Sequence, residues 1–292
     1  MKKLAIASKR TLQDLLVSYG MERTIYRLSL SKYVDKFILK GGILLYALYE
    51  GDYGRSTYDI DLLAYHISNE KNNMEDIFKK IFSIELDDGL IYDLKSIKVK
   101  EITKFKEYHG VNVSIICYLG NICIPISLDI GFGDTIFPKP VKMDFPILLN
   151  TDCPKILAYS IYSLISEKFE AIVSLGFANS RFKDFYDIYE VSRNFDLNGI
   201  ELQKAILETF NNRKTHIEEI VAFNDEFIDD KVRIKRWDSF IKKNQIDVYI
   251  SFKETMEHIK RLLFPIVKSI IDNYEYNLKW NHRTLNWSIN GE

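Results

Sequence analysis

The chain has 292 residues, 47% of them hydrophobic and 13% aromatic, enough to bury a large core as one big domain or two smaller ones. Its 40 basic and 41 acidic side chains nearly cancel, which excludes adhesion to nucleic acid through bulk charge and confines any polyanion site to a local patch. Three cysteines, Cys117, Cys123 and Cys153, lack the spacing of metal pairs, and their odd count predicts reduced thiols that serve core packing in a cytosol.

The N-terminal MKKLAIASKR has a basic start but an apolar run too short for a signal peptide. No uncharged stretch reaches the roughly 18 residues of a spanning helix, so a soluble, cytoplasmic protein with no membrane partner is expected. Over residues 12–34 apolar positions recur at helical spacing, and Gly20 predicts a break between two short helices. Residues 37–39 predict a short buried strand, Gly41-Gly42 a turn, and ILLYALYE a compact helix that ends before Gly51. Residues 58–65 read as a strand with Asp59 and Asp61 on one face and Ile60 and Leu62 on the other. A helix over 75–81 follows, then strands over 97–102, 111–118 and 122–130, with a hairpin turn at Leu119-Gly120-Asn121.

After Asp134 prolines cluster in FPKPVKMDFP, and from Pro154 to about Asn277 the patterns are helical. The clearest helices cover 160–175, 184–193, 200–210, 254–263 and 266–274, with Pro265 expected to break or kink the last pair. The expected fold class is α/β (α+β), with a mixed-sheet lobe over 1–145, a helical lobe over 146–292 and a cleft between them.

Asp59 and Asp61, two apart on a strand, place their Cβ atoms roughly 7 Å apart, so both carboxylates can converge on one point. At about 4 Å and an effective dielectric near 20 their repulsion is on the order of 4 kcal/mol, which a hard divalent cation would more than offset. An isolated DxD also fits a solvent-facing edge strand. Gly41-Gly42, between strand and helix, lets backbone N–H groups approach a phosphate, although a lone Gly-Gly is also an ordinary tight turn. Together, the turn and the DxD favour a metal–nucleotide site.

Arg55 shares the acidic face with Thr57 and Asp59 by strand alternation, and either braces a carboxylate or forks onto a phosphate. Asp129 ends IPISLDI on the face of Ser127, as a third carboxylate or as a cap for the glycine turn that follows. Downstream, Lys168 sits in an amphipathic helix, and RFKDFYDIY offers Arg181, Lys183, Asp184 and Asp187. Those charges form a solvated face, or Asp184 and Asp187 point together into a cleft from positions i and i+3.

LKGGILLY, RSTYDIDLL, SLDIGFGDTIFPKP, EKFEAI and RFKDFYDIY, in this order and spacing, resemble the AbiEii-type (AbiEii/AbiGii) nucleotidyltransferase toxins of the DNA polymerase β-like superfamily. The likeness runs from about Leu30 to Glu190, and the closing KWNHRTLNW resembles the family's tryptophan-flanked tail. It implies the toxin half of a type IV-like toxin–antitoxin or abortive-infection system, with a cognate antitoxin encoded nearby. The implied reaction moves NMP from NTP to an RNA acceptor, notably the tRNA 3′ end, with Mg2+, or Mn2+ in its place.

By position, the resemblance assigns Gly41 and Gly42 to the phosphate turn, and Arg55, Thr57, Asp59 and Asp61 to the element that holds triphosphate and metal. Lys40, Lys168 and Asp187 join the nucleotide-binding set, Asp59, Asp61, Lys168 and Asp184 the catalytic set, and Asp129 the metal set as third ligand. Ile43 departs from the pattern, standing where the superfamily has Ser or Thr. The acceptor surface is expected at Lys231, Arg233, Lys235, Arg236 and Trp237, unless these are a solvated charge run. Two alternatives stay open: a same-superfamily transferase that modifies a protein or small molecule, and a non-catalytic nucleotide- or RNA-binding protein.

Overall fold

The computed structural model describes residues 4–6, 10–103, 109–218 and 220–289; the basic start of the N-terminal segment, Met1 to Lys3, lies outside them. The chain divides into two compact units, residues 1–133 with 140–159, and residues 134–139 with 160–292.

The first unit opens with α1 (Leu12–Leu30), capped by Thr11, whose hydroxyl accepts from Asp14 N–H at 3.1 Å. The expected break at Gly20 does not occur. A Cβ there would stand 2.7 Å from Ile126 Cδ1 and 3.1 Å from Ile124 Cγ2, so the glycine serves close approach of the helix to a strand. Then come β1 (Phe37–Lys40), α2 (Gly41–Leu48), β2 (Asp59–Ala64), α3 (Lys71–Phe82), β3 (Leu90–Thr103), β4 (His109–Leu119), β5 (Ile122–Phe132), β6 (Val141–Asp144) and β7 (Lys155–Ala158).

These seven strands form one mixed sheet in the order β3-β4-β5-β2-β1-β7-β6, with β2 in the middle. β2 runs parallel to β5 and antiparallel to β1, and β1 runs parallel to β7. Phe37, Ile38 and Leu39 are all buried, so both faces of β1 are covered, as an interior strand with a parallel neighbour requires. Residues 155–158, expected to be helical, instead pair with β1; the run between Pro154 and the next helix cap is too short to nucleate a helix and long enough for a strand.

The second unit holds α4 (Ile161–Leu175), α5 (Phe182–Asn194), β8 (Leu197–Asn198), α6 (Gly199–Asn212), α7 (Asp225–Ile228), α8 (Lys231–Lys243), α9 (Phe252–Ile271), β9 (Lys279–Asn281) and β10 (Asn286–Ser288). Pro265 was expected to split the last long helix, yet α9 is continuous over 20 residues. Trp287 Nε1–H donates to the Leu262 carbonyl at 3.0 Å, next to the carbonyl that the proline leaves without its donor. The closing KWNHRTLNW is a hairpin in a three-stranded sheet of order β10-β9-β8, in which Trp280 is fully buried and donates to Ser192 O at 2.6 Å.

All three cysteines are free. Cys117 is buried, and burial pushes its thiol up to about 12. Cys123 does not pack in the core as expected; it lies exposed at the hairpin end of β5. No helix among the described residues is long and apolar enough to cross a membrane.

Candidate active site

Lys40, at the end of β1, caps α2 with extended backbone, and Gly41 begins the helix at φ +68°, a left-handed value that glycine takes without strain. No side chain fits there, because a Cβ on Gly41 would stand 2.1 Å from Asp61 Oδ2. Lys40 is the register partner of Asp61, and Gly42 N–H donates to Asp61 Oδ2 at 3.3 Å. A Cβ on Gly42 would meet Arg55 Nη2 at 3.0 Å and Thr57 Oγ1 at 3.1 Å. The structure thus brings together Gly41, Gly42, Arg55, Thr57 and Asp61. Lys40 is close by in the fold, its ammonium donating to Tyr159 Oη at 3.5 Å.

Arg55 and Thr57 reach the turn from the loop before β2, not from the strand whose alternation was expected to aim them. Arg55 is buried, lies 5.5 Å from the Tyr53 ring centre and donates to Ser56 O at 3.4 Å. Ile43 is fully buried, so its position faces the apolar core, and the hydroxyl beside the turn belongs to Thr57.

The acids continue across the sheet. In register, Asp59 stands beside Ser127 and Asp61 beside Asp129; Ser114 and Asn112 of β4 come next, then Lys98 and Lys100 of β3. Cross-strand partners share a face, so two parallel rows run from carboxylate to lysine. Asn112 Nδ2 donates to Asp129 Oδ1 at 2.8 Å and to Ser127 Oγ at 2.9 Å, which aims Asp129 along the acidic rows. Asn112 escaped the sequence reading; its signal is the alternation of Asn112 and Ser114 with buried Val111, Val113 and Ile115.

Asp59 is exposed, and Asp61 and Asp129 are half-buried. Among the described residues, no three of His, Cys, Asp or Glu are gathered into a metal site of their own. The donors still suit a hard cation of the Mg2+ type, which takes one or two carboxylates and completes its shell with phosphate oxygens and water. Asp61 and Asp129 side by side on adjacent strands supply that pair.

In the second unit, Lys168 Nζ lies 3.0 Å from Asp184 Oδ1 and 2.6 Å from Asp187 Oδ2, and Arg181 Nε lies 2.6 Å from Asp184 Oδ2. Both aspartates are 0% exposed, so they form neither a solvated face nor a cleft-facing pair; they face Lys168 within the unit. Burial pushes the Asp184 carboxyl up, but the Lys168 ammonium and Arg181 guanidinium outweigh it and hold the group below the ordinary carboxylate range.

The expected acceptor surface divides. Lys231, Lys235 and Arg236 are exposed on α8, but Trp237 is 0% exposed and donates to Ile250 O at 2.8 Å, so it cannot stack on a base. Arg233 is buried as well, stacked 3.6 Å over Phe227 and bonded to the carbonyls of Asn179 and Phe177 at 2.8 and 3.0 Å. Helical spacing turns both residues inward, away from the exposed cations.

Among solved structures, the fold is similar to a protein described as a candidate nucleotidyltransferase from H. pylori, with a TM-score of 0.51 and 14% identity over 91% of this chain and 100% of that one. It is similar also to JHP933 from Helicobacter pylori, with a TM-score of 0.50 and 14% identity over 90% of this chain and 95% of the other. At that identity the likeness speaks for the fold alone. No curated protein matches the sequence. The profile of the nucleotidyl transferase AbiEii toxin family, of the type IV toxin–antitoxin systems, matches residues 23–257, a span that contains both clusters described above. The chain belongs to the AbiEii family of nucleotidyltransferase toxins.

Proposed function

We propose that the protein is a cytoplasmic toxin, paired with an antitoxin encoded nearby, that transfers NMP from NTP to an RNA hydroxyl, the tRNA 3′ end foremost. The observation that carries this reading is the meeting at Gly42, where a backbone N–H, the Arg55 guanidinium, the Thr57 hydroxyl and the Asp61 carboxylate surround one turn at a helix start. Such a turn accepts a phosphate through amides, helix dipole and a forked cation together.

The Gly41 and Gly42 amides, Lys40, Arg55 and Thr57 would grip the β and γ phosphates and fix the α phosphorus for attack. Asp59, Asp61 and Asp129 would hold a divalent cation, Mg2+ foremost, which would supply neutralisation of charge on the entering and leaving oxygens. The acceptor oxygen bonds to the α phosphorus, the bond to the β-phosphate oxygen breaks, and pyrophosphate leaves. The hydroxyl proton passes to Asp129 at Oδ2, Oδ1 being held by Asn112. Lys168, Asp184 and Asp187, matched to catalytic and nucleotide-binding positions by the resemblance, act as positioning residues that clamp α4 to α5.

The test offers α-labelled NTPs, total RNA and total protein to the wild type and to Asp61→Asn. Asparagine keeps an acceptor for Gly42 N–H while removing the charge, so its melting temperature should match wild type and its label transfer should fall at least about a hundredfold. Label on protein, or equal labelling by the variant, would overturn the reading.

A further inference from the structure

The two rows of side chains that leave the carboxylates end in lysines, and beside them lies a groove of about 510 Å³, within the size range of nucleotide-scale sites. Asp59, Ser127, Ser114 and Lys98, one complete row, all line it, and so does Tyr58 at the carboxylate end. Lys98 and Lys100 are exposed, and neither is held by a carboxylate among the described residues. Tyr58 is 52% exposed, with its hydroxyl fixed by a 2.8 Å hydrogen bond to Asp14 Oδ1, so a tethered aromatic side chain is open to solvent at the groove.

From this arrangement we infer that the groove over β3, β4 and β5 is the track of a single-stranded RNA acceptor. Its terminal hydroxyl sits at Asp59 and Asp129, its last base stacks on Tyr58, and its upstream phosphates pass over Lys98 and Lys100. Three inter-strand steps of about 4.8 Å separate Asp59 from Lys98, roughly 14 Å in all. At about 3.4 Å per stacked nucleotide, that length suits some four residues of one strand. The polarity is set by charge: carboxylates repel a phosphate and tolerate a neutral hydroxyl, while lysines attract the phosphates that follow. Ser114, Ser127 and Asn112 between them are neutral, so no barrier to a polyanion interrupts either row.

The inference rests on the proposed RNA acceptor and deepens it, and binding can be read without activity. The probe is a short fluorescein-labelled single-stranded RNA, titrated into the full chain by anisotropy at several salt concentrations. Lys98→Ala and Lys100→Ala should each weaken binding several-fold for every sequence and reduce the slope of log K against log salt by about 0.7. Tyr58→Ala should weaken it roughly five- to 150-fold, whereas Tyr58→Phe, which keeps the ring, should stay near wild type. The comparison pair is Lys231→Ala with Lys235→Ala on α8, where no loss is expected. Should the α8 pair lose affinity while the β3 pair does not, or should Tyr58→Ala bind like wild type, the track is elsewhere. If wild type labels RNA yet the β3 lysines are silent, the groove assignment falls and the transfer reaction stands. If wild type binds no RNA at low salt but still releases pyrophosphate with another acceptor, both the track and the RNA acceptor fall.

Discussion

Gly41 carries two constraints at once, a left-handed backbone and a carboxylate oxygen 2.1 Å from where a Cβ would stand. Gly41→Ala therefore has to strain the turn, at about 1–2 kcal/mol, and also push Asp61 aside. Transfer is expected to fall at least about a hundredfold with only a few degrees lost in melting temperature, which paired activity and thermal scans would check. Gly42→Ala meets only the far ends of Arg55 and Thr57, so its effect should appear mainly as a raised KM for nucleotide. In the second unit, Lys168→Met would remove the cation shared by two buried carboxylates and leave Asp184 with Arg181, at about 3–5 kcal/mol, measurable by urea unfolding. The low pKa of Asp184 adds stability that is complete above the ordinary carboxylate range and is lost as pH falls through its folded value. At this scale the sequence discloses the turn at Gly41 and the strand face shared by Asp59 and Asp61, because a glycine between strand and helix and a two-residue alternation are both read locally. It discloses Arg233 and Trp237 badly, because nothing in a run of mixed charges tells which residues turn inward.

Helix α1 and helix α9 show how propensity yields to packing. A glycine in mid-helix costs roughly 0.5–1 kcal/mol relative to alanine, so Gly20→Ala would stabilise an isolated helix. Against Ile126 and Ile124 the added methyl overpacks the interface at about 1–3 kcal/mol, and the net expectation is a lower melting temperature. A variant more stable than wild type would show that the isoleucines move aside freely. On α9, burial, with Arg261 and Arg193 nearby, brings the His258 pKa down to about 4, and its Nε2 sits 2.7 Å from Ser192 Oγ. The unfolded chain binds this proton near pH 6.5 and the folded one does not, so stability is full above 6.5 and declines toward pH 4. The slope should approach 1.4 kcal/mol per pH unit and flatten in His258→Phe, as urea midpoints across that range would reveal. Gly20 misled as a breaker because the strand it lets approach lies far away in sequence, and Pro265 because α9 packs most of its length against the core, Leu262, Leu263 and Ile266 around it being fully buried.

Across the whole molecule, alternation made β2 readable and β-branched enrichment made β4 and β5 readable, while the short β7 and the closing hairpin depend on partners more than a hundred and about eighty residues away. The family match ends at residue 257, inside α9, yet Leu262, Leu263, Ile266 and Trp280 beyond it are all 0% exposed. Each contributes about 1.5–3 kcal/mol on burial, together comparable with the 5–15 kcal/mol of a typical fold. A chain cut after residue 257 should therefore lose the second unit's resistance to limited proteolysis, even though it retains every residue matched to the family.

The strand that bears Asp59 and Asp61 is fourth of seven, hydrogen-bonded on both sides. Edges fray first, and the middle opens only when the sheet itself comes apart. Deuterium should reach the Ile60, Leu62 and Leu63 amides last in the first unit, so the acids would keep their spacing through every partial excursion from the native state.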